Sequence, residues 1–133
     1  MEGYLLDTNI CIHYFKGKYN LINKIREIGP ENCYISEITL AELMYGAANS
    51  ADIKRHKEEV DGLLEWLTVL PIRPVLWTFA NNKSLLRRTG QPIDDFDLLI
   101  GTTAAYYDMI MVTENVKHLN HVPNLTIENW IEK

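Results

Sequence analysis

Short apolar runs alternate along the chain with longer helix-patterned segments, and this alternation restricts the fold more than any other feature. Tyr4-Leu5-Leu6, Cys33-Tyr34-Ile35, Thr68 to Leu70, Met109 to Val112 and Leu125 to Ile127 read as strands. Asn9 to Lys16 and Leu21 to Ile28 read as helices, the second ended by the Gly29-Pro30 breaker. Ser36 suits the N-cap of a helix running to about Asn49, and Asp52 to Trp66 is a charged amphipathic helix. Val75 to Arg88, stopping near Gly90, and Asp94 to Tyr107 complete the helical set. Strands separated by helices pair in parallel through right-handed crossovers. The expected architecture is therefore a three-layer α/β/α sandwich with a mostly parallel central sheet.

The chain has 133 residues and no internal repeat, low-complexity stretch or Pro/Gly/Ser linker, so residues 1–133 are expected to form one domain. With 47% apolar and 23% charged residues it has an ordinary globular composition, which excludes disorder and allows a core without disulfides. Met1-Glu2-Gly3 lacks the basic start of a secretory leader, and Asp7 breaks the apolar run that follows. No stretch reaches the ~20 apolar residues that cross a bilayer. A cytoplasmic protein with no membrane contact is expected. Cys11 and Cys33 stand in neither CxxC nor zinc-like spacing and read as buried thiols in a reducing compartment.

A net charge of −5 counts against a nucleic-acid binder, unless several of the acids converge on a divalent cation. Lys16 with Lys18, Lys54-Arg55-His56-Lys57 and Arg87-Arg88 are the basic clusters; the plain reading of each is a solvated helix face. In a parallel sheet, ligands collect beyond the carboxyl ends of the strands. Asp7 lies there, directly after the first strand, although the same position also suits an N-cap.

Glu42 sits at the edge of a wide apolar face made by Leu40, Leu43, Met44 and Ala47 and extended by Ala41, Tyr45 and Ala48. A carboxylate there is paired, protonated or bound to a metal, unless it reaches solvent. Asp97 shares a helical stripe with Ile93, Ile100, Gly101 and Ala104. Capping by the Asp94-Asp95-Phe96-Asp97 run accounts for acids at this helix start, but not for one on the apolar face. Three acids from distant segments could thus meet at one sheet edge. Carboxylates held close repel unless a proton or cation bridges them, and an all-oxygen set suits Mg²⁺ or Mn²⁺. Such an ion can activate water against a phosphodiester.

Four ordered motifs carry a resemblance. Leu5-Leu6-Asp7-Thr8-Asn9, Ile38-Thr39-Leu40-Ala41-Glu42-Leu43-Met44-Tyr45-Gly46, Pro92-Ile93-Asp94-Asp95-Phe96-Asp97-Leu98-Leu99-Ile100 and Val112-Thr113-Glu114-Asn115 resemble the signatures of PIN-domain proteins, and among these the VapC toxins of bacterial toxin–antitoxin pairs. Ile127-Glu128-Asn129-Trp130 is similar to the ending of that group, so the likeness spans about residues 3 to 130. The resemblance implies a PIN-like fold and a magnesium- or manganese-dependent endoribonuclease acting on RNA. It also implies a homodimer and a cognate VapB-like antitoxin that blocks the site. Asp7, Glu42 and Asp97 match the family's metal-binding acids, with Asp7 and Asp97 the primary metal ligands; Thr8 and Asn9 match companions of the first acid, and Thr113 the active-site hydroxyl.

Asn115 and His118 stand where a fourth acid is often found, and Gly101 where Ala is usual. Asn115 can still hold a metal-bound water, Asp95 can contribute through water, and one tightly held ion is expected. His118 and His121 lie in a polar, turn-like stretch ending at Pro123; His13 reads as a surface or packing residue, and Trp66, Trp77 and Trp130 as core or dimer contacts. The segments Asn49 to Lys57 and Lys16 to Tyr19 are candidates for substrate contact. A housekeeping RNA-processing nuclease and a catalytically silent partner-binding module of the same fold are the alternatives. A phosphoacceptor receiver domain would need paired acids after the first strand, where only Asp7 stands.

Overall fold

The computed structural model describes residues 3–132; Met1, Glu2 and Lys133 lie outside the described residues, and with them the ends of the expected 1–133 domain and most of the Met1-Glu2-Gly3 start. Five short strands, β1 (Tyr4–Leu6), β2 (Cys33–Ser36), β3 (Thr68–Leu70), β4 (Ile110–Val112) and β5 (Thr126–Glu128), form one sheet in the order β3-β2-β1-β4-β5. All the pairings are parallel. Between them run α1 (Thr8–Phe15), α2 (Leu21–Ile28), α3 (Glu37–Ala48), α4 (Ile53–Trp66), α5 (Leu76–Arg88), α6 (Asp95–Tyr106) and α7 (Val116–Leu119), with single 3₁₀ turns at Pro30–Asn32 and Arg73–Val75.

The pleat divides the core. Successive strand side chains point to opposite faces. Leu6 and Val112 pack with Ile10, Cys11, Leu21, Ile25, Leu43, Val60 and Leu63 under α1–α4. Leu5 and Met111 pack with Leu86, Leu98, Ile100, Ala104 and Leu119 under α5–α7. Both strand registers are fixed, because a slip of one residue would exchange the two cores. The strand order grows in one direction from β1 through β2 to β3, then reverses to β4 and β5. The reversal lies between β1 and β4. In a doubly wound sheet the crevice beyond the carboxyl ends of two such strands is the usual ligand position.

Local chemistry sets the helix boundaries. Asp7, Ser36, Asp52 and Asp94 cap α1, α3, α4 and α6 through side-chain oxygens that accept backbone N–H groups. Gly29, at φ 101°, stops α2 in a conformation that side-chain-bearing residues avoid. Two expectations need correction. The outer part of the α3 apolar face does not enter the core: Met44 is 49% and Tyr45 70% exposed, and Ala41 and Ala48 are exposed, while Leu43 and Ala47 are buried. And the stretch holding His118 is helical, as α7, not a plain turn. Of the tryptophans, Trp130 is buried against Tyr4 and Trp66 is half-buried against Tyr14, whereas Trp77 is 81% exposed. Cys11 and Cys33 are both buried free thiols, and burial pushes the Cys33 thiol up to about 11.

Leu5 is fully buried in β1, flanked by β2 and β4. Leu5→Ala is expected to lower unfolding free energy by about 2–5 kcal/mol, the range for a Leu-to-Ala cavity, read from the urea midpoint at constant slope.

Candidate active site

Asp7 is 4% exposed, and its two oxygens have separate tasks. Oδ1 accepts the Thr8 N–H at 2.8 Å and caps α1; Oδ2 accepts the Thr113 hydroxyl at 2.7 Å. The cap and ligand-edge readings of Asp7 are therefore compatible. Thr113 follows β4, so this bond ties together the ends of the two strands that border the crevice. Thr113 Oγ1 in turn accepts the Asn115 N–H at 2.9 Å, which orients the turn into α7.

Glu42 comes from α3 and is half-buried. Its Oε1 accepts the Thr8 hydroxyl at 2.6 Å, and that hydroxyl lies 3.1 Å from Thr39 Oγ1. Asp97 enters from the first turn of α6, also half-buried, beside buried Leu98, Ile100 and Gly101. The three acids share an electrostatic environment. Burial is the main cause that raises Asp7 above the usual 3.8; the Thr113 and Thr8 hydrogen bonds oppose it, and the charges of Asp97 and Glu42 add to it. Asp97 is likewise raised by burial first and by Asp94 second, with His118 opposing.

The remaining candidates divide. Asn9, in the first turn of α1, has its Oδ1 buried without a hydrogen-bond partner among the described residues. Asn115 is half-buried at the start of α7. His118 is exposed and, with His121, Lys117 and Asp94, lines a cavity of about 420 Å³ that includes Asp97. Asp95 points elsewhere: its carboxylate pairs with Lys83 of α5 at 2.9 Å. One contact had no sequence signal. His13 Nε2 lies 2.7 Å from Glu114 Oε1, and Tyr19 packs edge-on against the imidazole at 4.9 Å. Because the carboxylate only accepts, Nε2 carries the proton. This contact fastens α1 to the segment that carries Thr113 and Asn115.

The donor set fits a hard divalent cation in its chemistry. It offers carboxylates whose mutual repulsion a cation would reverse, and in Asn9 Oδ1 a buried acceptor lacking any partner. Among the described residues, however, no three acid, imidazole or thiol side chains stand close enough together to grip an ion without moving.

Comparisons with known proteins give the chain's relatives. The PIN domain family matches residues 4–124. The chain is 31% identical to the tRNA(fMet)-specific endonuclease VapC of Salmonella typhimurium over 131 residues, covering 98% of this chain and 99% of that one. It is 32% identical to ribonuclease VapC2 of Rickettsia felis, covering 96% and 97% of the two chains. The crystal structure of VapBC2 from Rickettsia felis bound to a promoter DNA fragment superposes with a TM-score of 0.89 at 31% identity, over 96% of this chain and 98% of that chain.

Raised carboxyl groups hold protons in the folded state that the unfolded chain releases. Their burden on stability is therefore absent at low pH and grows as pH rises from 3.8 through the raised folded values of Asp7 and Asp97. Asp7→Asn removes the charge, keeps an acceptor for the Thr8 N–H, and reverses the bond to Thr113, whose hydroxyl oxygen then accepts from the amide. In EDTA at pH 7 it is expected to raise the melting temperature by about 3–5 °C, the scale of ~1 kcal/mol in a domain of this size. The gap from the parent narrows as the melts are repeated toward pH 4.

Proposed function

The chain belongs to the PIN domain family, and on that premise we propose that it is an endoribonuclease, the toxin of a VapBC-type toxin–antitoxin pair. The observation that carries the proposal is the buried Asp7 at the reversal between β1 and β4, tied to Thr8 and Thr113 and within the electrostatic reach of Asp97 and Glu42. The near-complete coverage of ribonuclease VapC relatives supports RNA as the substrate. The structural neighbours crystallised as VapBC pairs support an antitoxin partner. No helix among the described residues is long and apolar enough to cross a membrane, and we place the protein in the cytoplasm with its RNA.

Asp7 and Asp97 are the residues that would hold a divalent ion, Mg²⁺ or Mn²⁺, with Asn9 and Asn115 able to fix water beside it. The ion would supply activation of water and neutralisation of phosphate charge. The chain's own groups prepare the site. The Thr113 hydroxyl fixes the plane of the Asp7 carboxylate, and Asp7 in turn holds the start of α1, from which Thr8 orients Glu42. Glu42, with Oε1 engaged by Thr8, keeps Oε2 to accept a proton from attacking water. Asn115 and His118, standing where a fourth acid is often found in the family, bring one carboxylate fewer to a second ion and favour a single one. Self-association is part of the proposal, supported by the exposed apolar side chains Met44 and Tyr45 on α3 and Leu76 and Trp77 on α5.

The activity test uses protein purified free of any partner, incubated with total RNA and with initiator tRNA in Mg²⁺ or Mn²⁺. Cleavage is expected to stop on adding EDTA, and Asp97→Asn to reduce it at least ~10²-fold, the scale of losing one preorganised electrostatic group, with an unchanged far-UV spectrum. Cleavage indifferent to chelator or to this substitution overturns the mechanism. Light scattering is expected to give a dimer, and Trp77→Ser combined with Tyr45→Ser to shift it toward monomer.

A further inference from the structure

We propose that the cavity beside Glu42 seats the RNA nucleotide next to the scissile phosphate, with Lys16 and Arg55 holding backbone phosphate and Phe15 receiving the base. This rests on the ribonuclease reading above. The cavity, about 510 Å³, lies between the end of α1, α3 and the start of α4. That volume falls within the ~300–1,000 Å³ typical of ligand sites. Glu42 forms one wall, so the cavity is continuous with the acid site. Lys16 and Arg55 also line it, bringing together the two basic segments that the sequence keeps far apart.

The cationic rim is pre-arranged. Arginine has donors only, so the 3.2 Å contact of the Arg55 guanidinium with His56 Nε2 requires that nitrogen to accept. The His56 proton then sits on Nδ1 and is donated to Glu59 Oε1 at 2.6 Å. This chain steadies Arg55 and occupies Glu59, the cavity's other acid. Lys16 is exposed and has no ion pair among the described residues. With Glu42 drawn into the acid site, Lys16 remains to face a ligand together with Arg55, whose Nε stands 4.0 Å from Asp52 Oδ2. They suit a polyanion, while Phe15 offers a ring on which any base can stack. The groove that continues along α4 is lined by Glu58, Glu59 and Glu65 against the single cation Arg26, so the charge balance turns acidic after this cavity.

Gly46 supplies independent support. It lies inside α3, where glycine weakens a helix relative to alanine. Yet a Cβ at Gly46 would meet nothing within 4 Å, and no left-handed backbone demands glycine there. Gly46 lines the cavity. Its missing side chain leaves the α3 backbone open to close approach by a ligand.

The probe is a fluorescein-labelled single-stranded oligoribonucleotide, bound to full-length protein in an Asp97→Asn background and followed by anisotropy over a salt series. Lys16→Gln with Arg55→Gln is expected to weaken binding about tenfold and to reduce the slope of log K against log salt by ~1.4, about 0.7 for each phosphate no longer neutralised. Arg87→Gln with Arg88→Gln makes the same change in net charge on α5 and is expected to alter affinity less than about twofold. Gly46→Leu fills the cavity and is expected to weaken RNA binding without lowering the melting temperature. The proposal is overturned if the Lys16/Arg55 pair binds like the α5 control. It is equally overturned if Gly46→Leu spares RNA binding and loosens the antitoxin complex instead, which would make the occupant a protein. Failure of the ribonuclease reading itself shows separately, as absence of cleavage by the parent protein.

Discussion

A nearly buried carboxylate at the end of the first strand is the constraint around which the site is arranged. Asp7 caps α1 with one oxygen and receives Thr113 with the other, so it links β1, α1 and the segment after β4. The same burial makes its charge unfavourable, and Asp97 and Glu42 aggravate that. A fold selected for stability alone would place an uncharged residue such as Asn here, keeping the Thr8 cap and meeting Thr113 with donor and acceptor reversed. Retaining three acids is a concession of stability to chemistry, of the kind expected where local rules are broken at a functional site.

The surrounding contacts explain how the crevice keeps its shape under that repulsion. Thr8 pulls Glu42 toward α1, and His13, on the same helix, holds Glu114. Helix α1 is therefore tied by polar bonds to α3 and to the segment after β4, through Asp7 before it and through Thr8 and His13 within it. The site is carried on a rigid element, with two short strands behind it. Positions set by helices and strands are held more tightly than positions set by loops.

Most of the architecture was legible because the periodicities of the chain are clean. Strands β1 and β3 and helix α2 fall where the apolar runs and the Gly29-Pro30 breaker put them. Two local patterns misled. Helix α3 is apolar over nearly its whole circumference, and periodicity cannot say which side meets the sheet; Tyr45 therefore looked internal and is exposed. Helix α7 spans only Val116–Leu119, too short for any helical stripe to show. The candidate acids stood out in the sequence for the opposite reason. Glu42 and Asp97 interrupt apolar surfaces, and a charged residue in an apolar stripe is visible in one dimension. The contact between His13 and Glu114 was not, because each residue is ordinary in its own segment and 101 positions separate them.

The acidic balance of the chain looked like an objection to RNA, and the placement of its charges answers it. Net charge sums over the whole surface, whereas a phosphodiester meets only the groups within a Debye length, ~8–10 Å at physiological salt. At the crevice the relevant acids are those that a cation would neutralise. Beside it, Lys16 and Arg55 share one cavity with Glu42, and Lys117 and His118 share another with Asp97. Glu42 and Asp97 thus each share a cavity with basic side chains. A strand of RNA crossing the crevice would pass from one basic group to the next over the acids between them, while the excess negative charge on the rest of the molecule discourages binding anywhere else.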